Sequence, residues 1–147
     1  MVKEKGYLFG FHFDPIIHSD NWQDLYKKLI DKLYAAVSPP FAWISLGTLR
    51  SHRSLKTINE IRFPKSDIFY GELFLSEDKK LRYPKFLREE IYKNILEWIK
   101  AYDEHTPVYL CMEGKDNWGI LGKNSGIEIE NYLLRNVNLH RDRKSVV

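Results

Sequence analysis

Between Lys79 and Arg88 the chain carries five cations, Lys79, Lys80, Arg82, Lys85 and Arg88, and no acid, with Tyr83 and Phe86 among them. Cations meet phosphates, and planar rings stack on bases or wedge between them, so this set suits a surface that grips nucleic acid. It also suits a solvated hairpin, since charge runs commonly face water. A second set falls at the ends of β-prone runs: His12 and Asp14, Ser45 and Gly47, Tyr70 and Glu72, Cys111 and Glu113. In parallel α/β sheets function gathers at the carboxyl ends of strands. These polar residues hold one phase of alternation, and Phe11, Phe13, Ile44, Leu46, Leu110 and Met112 hold the apolar phase that faces helices. The pattern predicts a polar wall at one end of a sheet.

Several chemistries fail their spacing tests. His12 and Asp14 at i, i+2 lack a further His or Cys at a metal-binding interval, so no metal site is expected. Gly114, Gly119, Gly122 and Gly126 follow no phosphate-loop spacing, and Ser45 lacks the glycines of a nucleophile elbow. Cys111 is the single cysteine, which excludes an internal disulfide and an all-cysteine metal or iron–sulfur site built from this chain alone. In an apolar strand it reads first as a small core residue and second as a reactive thiol. No residue is assigned a catalytic role.

The elements that must position these groups are legible from periodicity. Gly6 to Asp14 alternates strictly and reads as a strand ended by Pro15. Asp20 with Gln23 can cap a helix from Asn21 to Val37, whose core stripe is Trp22, Leu25, Leu29, Leu33 and Ala36, and Ser38-Pro39-Pro40 breaks it. Phe41 to Thr48 is a nearly continuous apolar run, the mark of a strand buried on both sides. Ser54 can cap a short helix through Arg62 that Pro64 closes.

Phe69 to Tyr83 then reads as a hairpin, with two β-prone runs flanking a polar turn. Lys85 to Tyr102 is the strongest helix, with Leu87, Ile91, Ile95, Trp98, Ile99 and Tyr102 on its core face. A short strand spans Val108 to Glu113, Lys115 to Leu121 suits one or two helical turns, and Ile127 to Leu139 a last helix. Strands alternating with helices predict a parallel sheet with crossover helices, too few for a closed eight-stranded barrel.

Composition sets the outer bounds. The 147 residues, 44% hydrophobic and 14% aromatic, suit a single globular domain with one core. A net charge of +3 is too weak to imply a polyanion partner by itself, so the local cluster carries that argument. No apolar run approaches the ~20 residues of a bilayer span and no signal-peptide core is visible, so a cytoplasmic location with no membrane partner is expected. The final Asp142-Arg143-Lys144-Ser145-Val146-Val147 reads as a non-native tail.

Taken together, GFHFDPIIHSDNW (Gly10 to Trp22), AWISLGTLR (Ala42 to Arg50), RFPKSDIFYGE (Arg62 to Glu72), KLRY (Lys80 to Tyr83) and PVYLCME (Pro107 to Glu113) resemble the spore photoproduct lyase family in content, order and spacing. The resemblance covers about Gly6 to Trp118. It implies a radical S-adenosylmethionine (SAM) enzyme that uses a [4Fe–4S] cluster and a 5′-deoxyadenosyl radical to revert a thymine dimer, 5-thyminyl-5,6-dihydrothymine, to two thymines. The family's three-cysteine motif is missing here. The matched region is the carboxyl-terminal part of a partial (β/α)6 TIM-type barrel with an inserted β-hairpin. The resemblance therefore implies residues 1–122 as that barrel portion, with a hairpin at about 67–84; past it the residues themselves read as a helical segment at 123–141 and the tail at 142–147.

The cluster and most of the SAM site are then expected in a missing amino-terminal half. Carried over by residue, Arg82 and Tyr83 fall on the lesion-recognising hairpin beside Lys79 and Lys80. His12 and Asp14 line the lower substrate cavity, with Glu72, Cys111 and Glu113 near it. The expected partner is UV-damaged DNA carrying the thymine photoproduct. Two alternatives fit the same residues: a radical SAM relative with another substrate, and a non-enzymatic nucleic-acid-binding α/β domain.

Overall fold

A computed structural model of the chain describes residue 7 and residues 9–122, with 130, 131, 134 and 135. Its elements are β1 (Gly10–Ile16), α1 (Trp22–Ala36), β2 (Trp43–Thr48), β3 (Arg50–Ser51), α2 (Arg53–Arg62), β4 (Phe74–Leu75), β5 (Leu81–Arg82), α3 (Lys85–Lys100), β6 (Val108–Leu110) and α4 (Lys115–Trp118). A 3-10 turn, Gly119–Leu121, follows. Two small sheets result. One is parallel, in the order β1-β2-β6; the other is antiparallel, in the order β3-β5-β4. The fold is thus mixed α/β around a parallel sheet, as the alternation of elements predicts. No described helix is long and apolar enough to cross a membrane.

The β1 and β2 strands obey the alternation read from the sequence. Phe13, Ile44, Leu46 and Leu110 turn to the helix side, where Trp22, Ile30, Ile91, Ile95 and Ile99 complete the core. β2 is central and buried along its length after Trp43. β1 continues through Pro15, contrary to expectation. Phe13 pairs with Leu46 and Ile16 with Thr48, so β1 spends one more residue than its partner across that interval. An edge strand tolerates the missing N–H, and the bulge absorbs it.

Helix boundaries follow tertiary contacts more than caps. The N-cap of α1 is Asn21 and that of α2 is His52, and neither makes a side-chain capping bond. Asp20 and Ser54 do not serve as caps. Arg50 and Ser51 pair with β5, so α2 can begin only after them. The core stripe of α1 is also rotated from the expected one. Tyr26, Ile30, Leu33 and Tyr34 pack inward while Leu25 and Leu29 are exposed. Both stripes satisfy helical spacing, and packing against the sheet and α3 selects between them.

On α3, Ile91, Ile95 and Ile99 are buried as expected, joined by Tyr92 and Leu96; the helix ends at Lys100, short of the expected Tyr102, which is exposed. β6 stops at Leu110, short of the predicted Glu113. Cys111 N–H still bonds to Leu46 C=O at 2.7 Å, but Met112 then takes φ 57°, the left-handed region, and the chain leaves the sheet. The helix expected over Ile127 to Leu139 lies largely outside the described residues, of which 130, 131, 134 and 135 are helical. The expected strand start at Gly6 and the 142–147 tail also lie outside them.

Candidate functional site

The face of the parallel sheet turned away from α1 and α3 carries a polar and aromatic surface. His12, Ser45 and Tyr109 sit side by side in register across β1, β2 and β6. His12 and Asp14 are exposed, Trp43, Tyr109 and Cys111 are half-buried, and Ser45 is fully buried beneath them. The Trp43 ring makes an edge contact with His12, centroids 4.5 Å apart, and lies 5.9 Å from the ring of Tyr109. Gly10 leaves room for that indole, because a Cβ there would stand 2.3 Å from it. Trp43 and Tyr109 were missed by sequence reasoning, although each sits two residues before a polar strand-end residue in the same alternation phase.

Asp14, near the carboxyl end of β1, and Cys111, just past β6, meet above Ser45 of the central strand. Burial pushes the Cys111 thiol pKa up, and the neighbouring Asp14 carboxylate adds to the rise, so the thiol is protonated at neutral pH. The Ser45 hydroxyl makes no hydrogen bond of strict geometry and has the Cys111 thiol beside it. Asp14 lies across Gly47, where a Cβ would come within 2.7 Å of the carboxyl. Gly47→Ala is therefore expected to displace Asp14 and to cost about 1–3 kcal/mol. Thermal unfolding of the variant checks this, and an unchanged melting temperature contradicts it.

Glu72 and Glu113 do not join this face. Glu72 is exposed in the loop ahead of β4. Tyr70 is likewise an exposed loop residue, so the expected fourth strand end is not part of the wall. The turn at Met112 throws Glu113 to the helix side, where its side chain is 2% exposed. There it accepts hydrogen bonds from Tyr92 Oη at 2.7 Å and Asn117 Nδ2 at 2.6 Å, and faces Arg88 Nε at 3.5 Å. Tyr92 Oη in turn accepts from the Thr48 N–H at 3.1 Å. Arg88, counted among the surface cations from the sequence, is thus turned inward.

The predicted hairpin is present, shorter than expected, and β3 extends it to three strands. Because β3 follows β2 almost directly, the hairpin stands at the same end of the parallel sheet as Asp14 and Cys111. Its turn is closed by Lys79 N–H to Ser76 C=O and Ser76 N–H to Lys80 C=O, both 2.9 Å, with Lys79 at φ 59°. Lys79 projects into solvent, and Lys80 lies against His52.

The two residues assigned to lesion contact are placed differently from the expectation. Arg82 is clamped: Nε donates to Ser76 Oγ (3.1 Å), one NH to Met112 C=O (2.9 Å) and the other to Asp78 Oδ2 (2.8 Å). Asp78 also holds Arg50, and hydrogen bonds from Arg82 first, then Ser76 and Arg50, keep its carboxyl well below the usual carboxylate range. Tyr83 is 2% exposed, and its Oη accepts the His18 N–H at 3.0 Å. Its ring is a core anchor at the hairpin root and presents no face for stacking. The rings free to stack beside the cations are Phe74 and Phe86, 57% and 69% exposed.

Fold and site thus define a class: a parallel α/β layer whose strand ends open on an aromatic and polar face, with a basic hairpin mounted at that end. Solved structures of spore photoproduct lyase share this fold. The complex of that lyase with dinucleoside spore photoproduct matches at a TM-score of 0.62 and 19% identity, over 75% of this chain and 35% of that one. A double mutant with bound AdoMet and dinucleoside spore photoproduct matches with the same values. A single-site mutant matches at a TM-score of 0.60 and 20% identity. The chain spans about 35% of the length of these proteins. No protein-family model matches the chain, and no curated protein matches it by sequence.

Proposed function

We propose that this chain is the carboxyl-terminal part of a partial (β/α)6 barrel in a DNA-repair lyase of the radical SAM kind, acting on a thymine photoproduct. The carrying observation is the shared fold with lyase structures that hold dinucleoside spore photoproduct, at a TM-score of 0.62. The aromatic and polar face adds physical support. Trp43 and Tyr109 offer planes for a thymine ring, while the exposed His12 and Asp14 offer a donor and acceptors for its polar edge. The hairpin at the same end brings cations toward the strand that carries the lesion.

The residues present do not fit a [4Fe–4S] cluster. Cys111 is the single cysteine, and among the described residues no three His, Cys, Asp or Glu side chains gather as metal ligands. The proposal assigns the cluster and the AdoMet site to the portion of the similar lyases that this chain does not span. The residues described here bind and orient substrate and shield it from water.

The test has two parts. Genomic sequence ahead of the Met1 codon is expected to carry an in-frame cysteine triad. The protein made from that frame is expected to convert dinucleoside spore photoproduct to the undamaged dinucleotide. An in-frame stop codon just ahead of Met1 overturns the proposal in favour of a stand-alone nucleic-acid-binding module. A cysteine triad with no activity on the photoproduct points to a relative with another substrate.

A further inference from the structure

We propose that Arg50 and Arg82 form a two-arginine fork for a nucleic-acid phosphate, and that Asp78 occupies this fork until a strand displaces it. Arg50 and Arg82 are directly opposed in the antiparallel register of β3 and β5. Like charges opposite one another destabilise a sheet unless an anion lies between them. Here the anion comes from the hairpin's own turn. Arg50 Nε and a terminal NH both reach Asp78 Oδ2 at 3.0 Å, and Arg82 reaches the same oxygen at 2.8 Å.

The geometry favours exchange. Asp78 offers both arginines one oxygen, because Oδ1 is engaged with Lys80 N–H (3.2 Å) and Ser76 Oγ. A phosphodiester brings two non-bridging oxygens and can give one to each guanidinium, the fork-to-fork pairing arginine suits best. The carboxylate side chain is 36% exposed, so the position is open to a strand from solvent. Arg82 keeps its bonds to Ser76 and Met112 when Asp78 leaves, so the fork stays organised for its ligand. Lys79, exposed at the tip of the same turn, extends the positive surface.

This inference rests on the nucleic-acid reading above, and its test separates the two. Asp78→Asn keeps the turn's acceptor for Lys80 N–H and removes the competing charge. It is expected to bind an undamaged duplex about tenfold tighter than the parent at low salt, with a log K against log salt slope steeper by about 0.9, one added phosphate contact. Arg50→Gln in the Asp78→Asn background is expected to abolish the gain. An Asp78→Asn variant of unchanged melting temperature that binds no tighter overturns the fork. If Asp78→Asn lowers the melting temperature, the Arg50→Gln single variant decides: weaker duplex binding supports the fork, and unchanged binding overturns it. Full competition by millimolar inorganic phosphate at constant ionic strength assigns the fork to a small anion and overturns the nucleic-acid ligand. Lesion preference is read separately, from the same titrations with photoproduct-bearing duplex, and its loss alone sinks the lyase reading and leaves the fork standing.

Discussion

Glu113→Ala is expected to lower the melting temperature of the chain by about 10 °C. The side chain is 2% exposed and accepts from Tyr92 and Asn117 while facing Arg88. Truncation leaves the mostly buried Arg88 without its counter-charge and Asn117 Nδ2 without this acceptor, and it leaves the Tyr92 hydroxyl to donate only in the longer bond to Thr48 Oγ1 at 3.3 Å. Removing one partner of a buried charged pair costs about 3–5 kcal/mol. For a chain of this size each kcal/mol is worth roughly 3 °C. Glu113→Gln keeps an acceptor and a similar shape, so its loss should be smaller. Circular dichroism melts of the three proteins check the order. If Glu113→Ala melts within about 2 °C of the parent, as a surface substitution does, the buried network described here is not what holds α3 to the end of β6.

Tyr83→Ala is the second large effect, and it separates an anchoring ring from a stacking one. The ring fills a core position between His18 and the start of α3, and the Tyr83 C=O accepts from Arg88 at 3.2 Å. Emptying such a position costs about 3–5 kcal/mol. The cost falls on the root of the hairpin, so cleavage by a nonspecific protease should accelerate around Ser76 to Lys80. Nucleic-acid binding should decline with it. Tyr83→Phe loses only the Oη bond to His18 N–H, worth about 1 kcal/mol, and should keep both the fold and the binding. A Tyr83→Ala protein that melts and resists protease like the parent but loses binding would put the ring on the ligand and overturn the anchor.

These two residues show where local reading of the sequence works and where it stops. Alternation places Glu113 on the polar wall, two residues on from Cys111. The count is sound only while the chain stays in the strand. Met112 at φ 57° ends that, and the carboxylate is drawn to Tyr92, Asn117 and Arg88, which lie 21, 4 and 25 positions away in sequence. Tyr83 was read as a free ring because its neighbours are cations. Its burial depends on His18, 65 residues earlier.

Much was nonetheless set by sequence alone. The alternation of strands with helices predicts the parallel layer, and period-two alternation sets the phase in which His12, Asp14, Ser45 and Cys111 share a face. Helical spacing placed α1 and α3, and Pro64 the end of α2, within a few residues of their observed bounds, and the polar turn marked the hairpin. Tertiary structure alone decided which of two stripes of α1 faces inward, that Arg50 opposes Arg82 with Asp78 between them, and that hairpin and polar face share one end of the sheet. Periodicity is a property of neighbouring residues, so a sequence displays it directly. Partnerships across 28 or 65 positions are selected by packing and by the cost of leaving buried charge unpaired, and those terms exist only once the chain has folded.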